Sequence, residues 1–319
     1  MNRPRVLVTG ASGFVGEAVV MRLLLDRKFT PVAAVRGASN LAGLCQVVTF
    51  ALGDRTELPF LDDIDVVVHC AARVHVMNET ALDALAEFRK INVEGTAALA
   101  RKAAAAGVRR FIYISSIKVN GERTMKGAPF RSDAVPAPQD AYGQSKLEAE
   151  QVLGLISRET GMELVIIRPP LVYGPGVKAN FLSMMNWLNK GIPLPLGGVQ
   201  NRRSFISLSN LADVIIKCID HPAAANNVFL VSDGVDLSTT QLLTCISKAL
   251  GRSVLLIPTP VWVLKSLLAL VGKKVIAQRL FDSLEIDIAK TQTTLGWSPP
   301  VSVDRAIRHT VEHYLENKK

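Results

Sequence analysis

Up to Arg168 the chain alternates between two hydrophobic periods. Short runs of β-branched and aliphatic residues, at Val6-Leu7-Val8, 31–35, 47–52, 65–70, 110–115 and 164–168, read as buried strands. Between them lie segments with apolar residues three and four apart, such as Val15, Val19 and Leu23, and longer stretches over 79–106 and 142–160, which read as amphipathic helices. Strands joined through helices need right-handed crossovers, and hence a parallel sheet covered on both faces. The predicted fold class is therefore α/β, a doubly wound parallel sheet.

Beyond Arg168 the pattern loosens. Residues 168–176 read as a loop, 180–190 as a short helix, 209–220 as a helix that returns to the core, and 287–296 as another helix. This predicts a first domain over 1–168, to which 204–232 return, and a smaller interleaved C-terminal lobe made of 169–203 and 233–319. The nearly all-apolar 253–271 segment is split by Pro258 and Pro260 into a short strand (254–257) and a helix (261–271), each too short to span a bilayer. Contact of that helix with a membrane surface is left open, with no transmembrane span expected.

The glycines of Thr9-Gly10-Ala11-Ser12-Gly13-Phe14-Val15-Gly16 sit where the first strand gives way to the first helix. That is the place for a helix N-terminus brought close to a pyrophosphate: Gly10 permits the turn, Gly13 lets the backbone approach the phosphates, and Gly16 lets helix pack on strand. A bound dinucleotide is the reading, with Ser12, Phe14 and Val15 completing its cradle.

Composition narrows the partners. Hydrophobic residues make up 49% and charged residues 20% of the 319, as in folded globular proteins. The formal charge of +9 suits an anionic ligand, but the Lys and Arg residues are scattered, so nucleic-acid binding is not expected. Cys45, Cys70, Cys218 and Cys245 stand far apart in or beside apolar runs and read as reduced, buried thiols. No His or Cys spacing suits a metal, so none is expected. The N-terminus enters its strand without a signal-peptide pattern, and a cytoplasmic location is expected.

Candidate chemistry follows the fifth strand, which ends in Ser115-Ser116-Ile117-Lys118-Val119-Asn120-Gly121, and opens the next helix as Tyr142-Gly143-Gln144-Ser145-Lys146. Residues four apart on a helix share a face, so Tyr142 and Lys146 can address one cleft. A lysine ammonium beside a tyrosine stabilises its phenolate and brings an otherwise slow proton donor toward working range.

Taken together, Thr9–Gly16, Ser116 and the Tyr142/Lys146 pair resemble the extended short-chain dehydrogenase/reductases of the NAD-dependent epimerase/dehydratase family, and the resemblance spans nearly the whole chain. It implies a Rossmann sheet with a nucleotide-sugar-binding lobe, and catalysis by Ser116, Tyr142 and Lys146. It implies further cofactor contacts from Arg36, Asp54, Ala71, Ala72 and Asn92, and substrate contacts from Lys118, Asn180, Arg203 and Arg279, the two arginines on the diphosphate. A homodimer is compatible with it. Arg36 ends the second strand where a carboxylate would bind the ribose hydroxyls; a guanidinium can fork onto a 2′-phosphate, so NADP(H) is favoured over NAD(H), which an arginine stacked on adenine would accept.

Family members that dehydrate follow the active-site hydroxyl with an Asp-Glu pair, whereas Ser116 is followed by Ile117 and Lys118. Within this family 116–122 and 169–181 look like reductases of UDP-4-keto-6-deoxy-N-acetylhexosamines in surface-polysaccharide (O-antigen) synthesis. That oxidoreductase is the leading expectation. A UDP-glucose/UDP-N-acetylglucosamine 4-epimerase with tightly held NAD is the alternative, and a non-catalytic NADP-sensing regulator the third.

Overall fold

The computed structural model describes residues 3–53, 61–74, 83–125, 127–272 and 274–318, without the side chains of Lys274 and Val275. Strands β1 (Arg5–Thr9), β2 (Thr30–Val35), β3 (Gln46–Thr49), β4 (Val66–His69), β5 (Arg110–Ile114), β6 (Glu163–Arg168) and β9 (Asn227–Leu230) form one seven-stranded sheet in the order β3-β2-β1-β4-β5-β6-β9. All its pairings are parallel. The doubly wound α/β expectation holds, with the strand order reversing between β1 and β4. Ligands of such sheets bind outside the carboxyl ends of the strands at that switch point.

Alternation along the strands explains why both faces are covered. Val6 and Val8 of β1 point into one core with Val19, Leu23 and Ile215, whereas Leu7 points into the other with Val67, Phe111 and Leu153. Helices α1 (Phe14–Asp26) and α6 (Leu208–Asp220) serve the first face; α3 (Thr96–Ala105) and α4 (Ala141–Thr160) serve the second. The helical stretch expected over 79–106 begins, among the described residues, as α2 (Ala84–Phe88) and runs through a π-helical segment, Arg89–Gly95, into α3.

After β6 the chain is more ordered than its sequence suggests. Leu171–Tyr173, within the expected loop, is strand β7 and pairs in parallel with β8 (Phe205–Ser207). A third core gathers around Tyr173, Phe181, Leu188, Ile246 and Ile307. It is built by α5 (Ala179–Asn189), α7 (Thr239–Ala249), α8 (Val261–Leu270), α9 (Lys274–Phe281) and α11 (Val303–Glu316), while α10 (Ala289–Leu295) packs Leu295 into the first core. The strand expected over 254–257 is reduced to a single bridge between Leu194 and Leu256. Among the described residues no helix is long and apolar enough to cross a membrane.

Candidate active site

A cleft of ≈ 610 Å³ opens at the carboxyl ends of β1, β2, β4, β5 and β6. At its floor the chain leaves β1 through Gly10, whose φ of +65° belongs to the left-handed region. A Cβ on Gly10 would meet the Ala71 amide nitrogen at 2.8 Å, and one on Gly16 would lie 2.2 Å from the Gly10 carbonyl oxygen. Strand, turn and helix approach so closely that only hydrogen fits at these two positions. Gly13 caps α1 without a side-chain hydrogen bond, so the first-turn amides of the helix face the cleft without a capping group. These features fit a dinucleotide pyrophosphate.

Beneath the turn His69 is fully buried, its Nδ1 2.6 Å from Thr9 Oγ1 and its Nε2 2.9 Å from Thr96 Oγ1. Burial, with a smaller push from the Lys146 charge, lowers its pKa to about 3. The unfolded chain takes up this proton near the ordinary 6.5 and the folded chain only near 3, so stability falls as pH drops through that window. The His69 ring resonances are expected to stay unshifted from neutrality down to about pH 5 in NMR titrations; a midpoint within that range would contradict the buried, neutral ring.

Most of the expected cofactor residues meet at the cleft. Gly10, Ser12, Gly13, Phe14, Val15, Gly16, Arg36, Ala71 and Ala72 line it, as do Ser116, Tyr142 and Lys146. Asn92 stands behind the wall: its amide accepts from the Arg73 backbone N–H (2.8 Å) and donates to the Arg73 carbonyl (3.0 Å) and to Ser145 Oγ (3.1 Å). It thereby ties the turn after β4 to the face of α4 between Tyr142 and Lys146, from a π-helical turn of the kind that recurs at functional sites. Asp54 lies outside the described residues.

The wall also contains residues that sequence reasoning left out, notably Phe50, Ile91, Pro169, Pro170 and Val172. The two prolines were assigned to a substrate-lobe loop, yet they follow the end of β6, and position at a strand's carboxyl end was the signal that could have found them.

Asp140 caps α4 by accepting from the Gly143 N–H at 2.7 Å, which fixes the turn that presents Tyr142. The Tyr142 ring meets Phe88 edge-on at 5.9 Å. Lys146 donates to the Ile114 carbonyl at 2.8 Å and lies over the Tyr113 ring at 4.5 Å and the Tyr142 ring at 6.0 Å. Burial lowers the Lys146 pKa to about 8. Tyr142 moves opposite to the sequence expectation: burial, then the Asp140 charge, push its pKa well up. The difference is physical, because the ammonium is spent on a carbonyl and a ring face instead of the phenol oxygen.

Among the described residues the cleft wall does not include Lys118, Asn180, Arg203 or Arg279. The Lys118 ammonium sits between Glu122 (2.9 Å) and Asp140, and Asn180 is exposed at the start of α5. Arg203 pairs its backbone with Leu237 and donates from Nη1 to the Asp282 carbonyl at 2.9 Å. Burial lowers its pKa, Asp282 opposes, and the like charge of Arg279 lowers it further, so the fold brings these two expected arginines into each other's field.

The comparisons with known proteins agree with this geometry. Residues 6–232 match the model of the NAD dependent epimerase/dehydratase family. The chain is 46% identical over 317 residues to a UDP-glucose 4-epimerase of Vibrio cholerae, covering 98% of this chain and 95% of that protein. It is 25% identical to a dTDP-D-glucose 4,6-dehydratase of Mus musculus, covering 98% and 89%. The fold matches a UDP-glucuronic acid 4-epimerase from Bacillus cereus, solved in complex with NAD, with a TM-score of 0.80 at 21% identity over 99% of this chain and 100% of that one. The chain belongs to the NAD dependent epimerase/dehydratase family, the extended short-chain dehydrogenase/reductases.

Proposed function

We propose that the protein is a UDP-sugar 4-epimerase that holds NAD through the whole reaction. The observation that carries this reading is the 46% identity along 98% of the chain to the Vibrio cholerae UDP-glucose 4-epimerase. The cleft chemistry supports it: a hydroxyl, a phenol and an ammonium meet there, and no Asp or Glu stands among the described residues of the wall. That set suits reversible alcohol-to-ketone interconversion and lacks the carboxylates with which an elimination would move its protons.

Held by the Gly10–Gly16 turn and the cleft wall, NAD would supply reversible hydride chemistry at the sugar C4. The Tyr142 phenolate, which the Lys146 charge favours, takes the C4 hydroxyl proton and the resulting phenol gives it back, while Ser116 Oγ hydrogen-bonds the same oxygen. Arg203 and Arg279 hold the diphosphate, whose charge relieves their mutual repulsion. The first domain and the interleaved lobe then carry cofactor and sugar respectively.

The relatives back the epimerase over the 4-keto reductase that led the sequence expectations, and NAD over NADP(H). Arg36 is exposed at the end of β2 and lines the cleft, where its planar group could stack on the adenine of NAD. Purified protein given UDP-glucose or UDP-N-acetylglucosamine, with no cofactor added, is expected to form the 4-epimer, and the nucleotide released on denaturation to be NAD. Absence of epimer, together with stoichiometric NADPH consumption on a UDP-4-keto-6-deoxy-N-acetylhexosamine, would establish the reductase instead.

A further inference from the structure

The lobe built after β6 is acid-poor and apolar on its outside. No Asp or Glu occurs over 164–212 or over 237–281, and the second stretch carries Lys248, Arg252, Lys265, Lys273, Lys274 and Arg279. Within it the Leu194–Leu256 bridge turns Leu256 inward, toward the third core, and leaves its neighbours Leu255 and Ile257 exposed. A half-buried extended segment ordinarily shows polar residues on its outer side.

Helix α8 repeats the anomaly. Leu264 is buried at 8% exposure, but Trp262 is 72% exposed, Leu270 83%, and Leu267 and Val271 more than half. Positions 262, 266 and 270 follow one another at intervals of four, so Trp262 and Leu270 share a face on which only Ser266 is polar. A helix apolar on all sides normally has all sides covered. Lys265, off that face, donates to Asp282 at 2.9 Å, and the sequence continues at once with Lys273-Lys274.

We infer that the outer face of 255–272 is a docking surface for an anionic lipid bilayer, with Trp262, Leu267, Leu270 and Val271 entering the headgroup boundary. Charge selects this occupant: with Lys265 paired to Asp282 and Arg279 assigned to the diphosphate, the 45-residue stretch around the exposed apolar ridge still carries Lys248, Arg252, Lys273 and Lys274 and no carboxylate, which complements a negative surface. A second copy of the chain would bring the same cations face to face. The diphosphate site does not account for the pattern, because Arg203 is largely buried and the ridge points outward. The helix lies in the interface plane, too short to cross.

The test is co-sedimentation of the full-length protein with vesicles of phosphatidylcholine alone or with about 30 mol% phosphatidylglycerol, a content that gives a substantial negative surface potential. The protein is expected to pellet with the anionic vesicles at low salt, and to lose at least about tenfold of that binding in about 1 M salt or in the variant W262E/L270E. Both residues are exposed and away from the cleft, so circular dichroism and epimerase turnover of the variant should match the parent. Trp262 fluorescence is expected to shift to the blue only with anionic vesicles. Three results would overturn the inference: no pelleting with either vesicle, equal pelleting of parent and variant, or equal pelleting with phosphatidylcholine alone. A lipid-free dimer that the variant converts to monomer would equally overturn it and assign the face to a second copy.

Discussion

Replacing Tyr142 by Phe is expected to lower epimerase turnover by about 10³-fold, within the range that a positioned proton donor contributes, while leaving NAD affinity close to that of the parent protein. The substitution removes one oxygen. The ring keeps its edge-on contact with Phe88 at 5.9 Å, and Asp140 still caps the helix through Gly143. Lys146 also stays in place, because its anchor is the Ile114 carbonyl and not the phenol. What disappears is the group proposed to move the C4 hydroxyl proton. Burial and the Asp140 charge raise its pKa in the free protein, so the nearby ammonium matters for turnover. Lys146, brought down to about 8, loses that charge as pH rises above 8, and support for the phenolate falls with it. Steady-state conversion of UDP-glucose and calorimetric titration of NAD separate the outcomes. Unchanged turnover would remove Tyr142 from the chemistry, and joint loss of turnover and NAD binding would make its role structural.

The parts of this site that sequence reasoning located are those fixed by local geometry. The strand, turn and helix at Gly10–Gly16 lie within one short stretch, and the tight approach of Gly16 to Gly10 follows from that connection. Tyr142 and Lys146 are neighbours by helical periodicity alone, and both line the cleft with Ser116. Features set by tertiary register were not legible. β9 lies 59 residues beyond β6 and joins it at the sheet edge, although its short apolar run carries no sign of a partner. Pro169, Pro170 and Val172 reach the cleft only because β6 ends there. Arg36 shows a different limit: one exposed guanidinium is chemically fit for adenine or for a phosphate, so its identity alone cannot choose between the two dinucleotides. The helix face of Tyr142 and Lys146 did hold one unused signal. Glu150, a further four residues along, is an acid on a buried face, and such a residue needs a cation.

That cation is Arg168, and its replacement by Met is expected to destabilise the fold by about 3–5 kcal/mol, the cost of stranding one member of a buried ion pair. Both side chains are 5% exposed. Arg168 Nε and Nη2 donate to the two Glu150 oxygens at 2.9 and 2.5 Å, and Nη1 donates to Asn120 Oδ1 at 3.0 Å. Ser115 Oγ donates to the same carboxylate at 2.5 Å. The network therefore joins the end of β6, the Ser115-Ser116 end of β5 and the turn of α4 that follows Lys146. In Arg168→Met the carboxylate retains Ser115 but loses its charge partner and both arms of the fork, and the geometry relating Ser116 to Lys146 loses its brace. Urea unfolding should show the loss as a lower midpoint at unchanged slope, with turnover falling as well. The double variant Glu150→Leu/Arg168→Met distinguishes the cause. If the stranded charge dominates, it regains much of the stability without regaining turnover, because apolar side chains can fill the space but cannot hold Ser115. A single-variant loss below about 1 kcal/mol, the value of an exposed pair, would mean that water reaches Glu150 and that the brace is not what aligns the site.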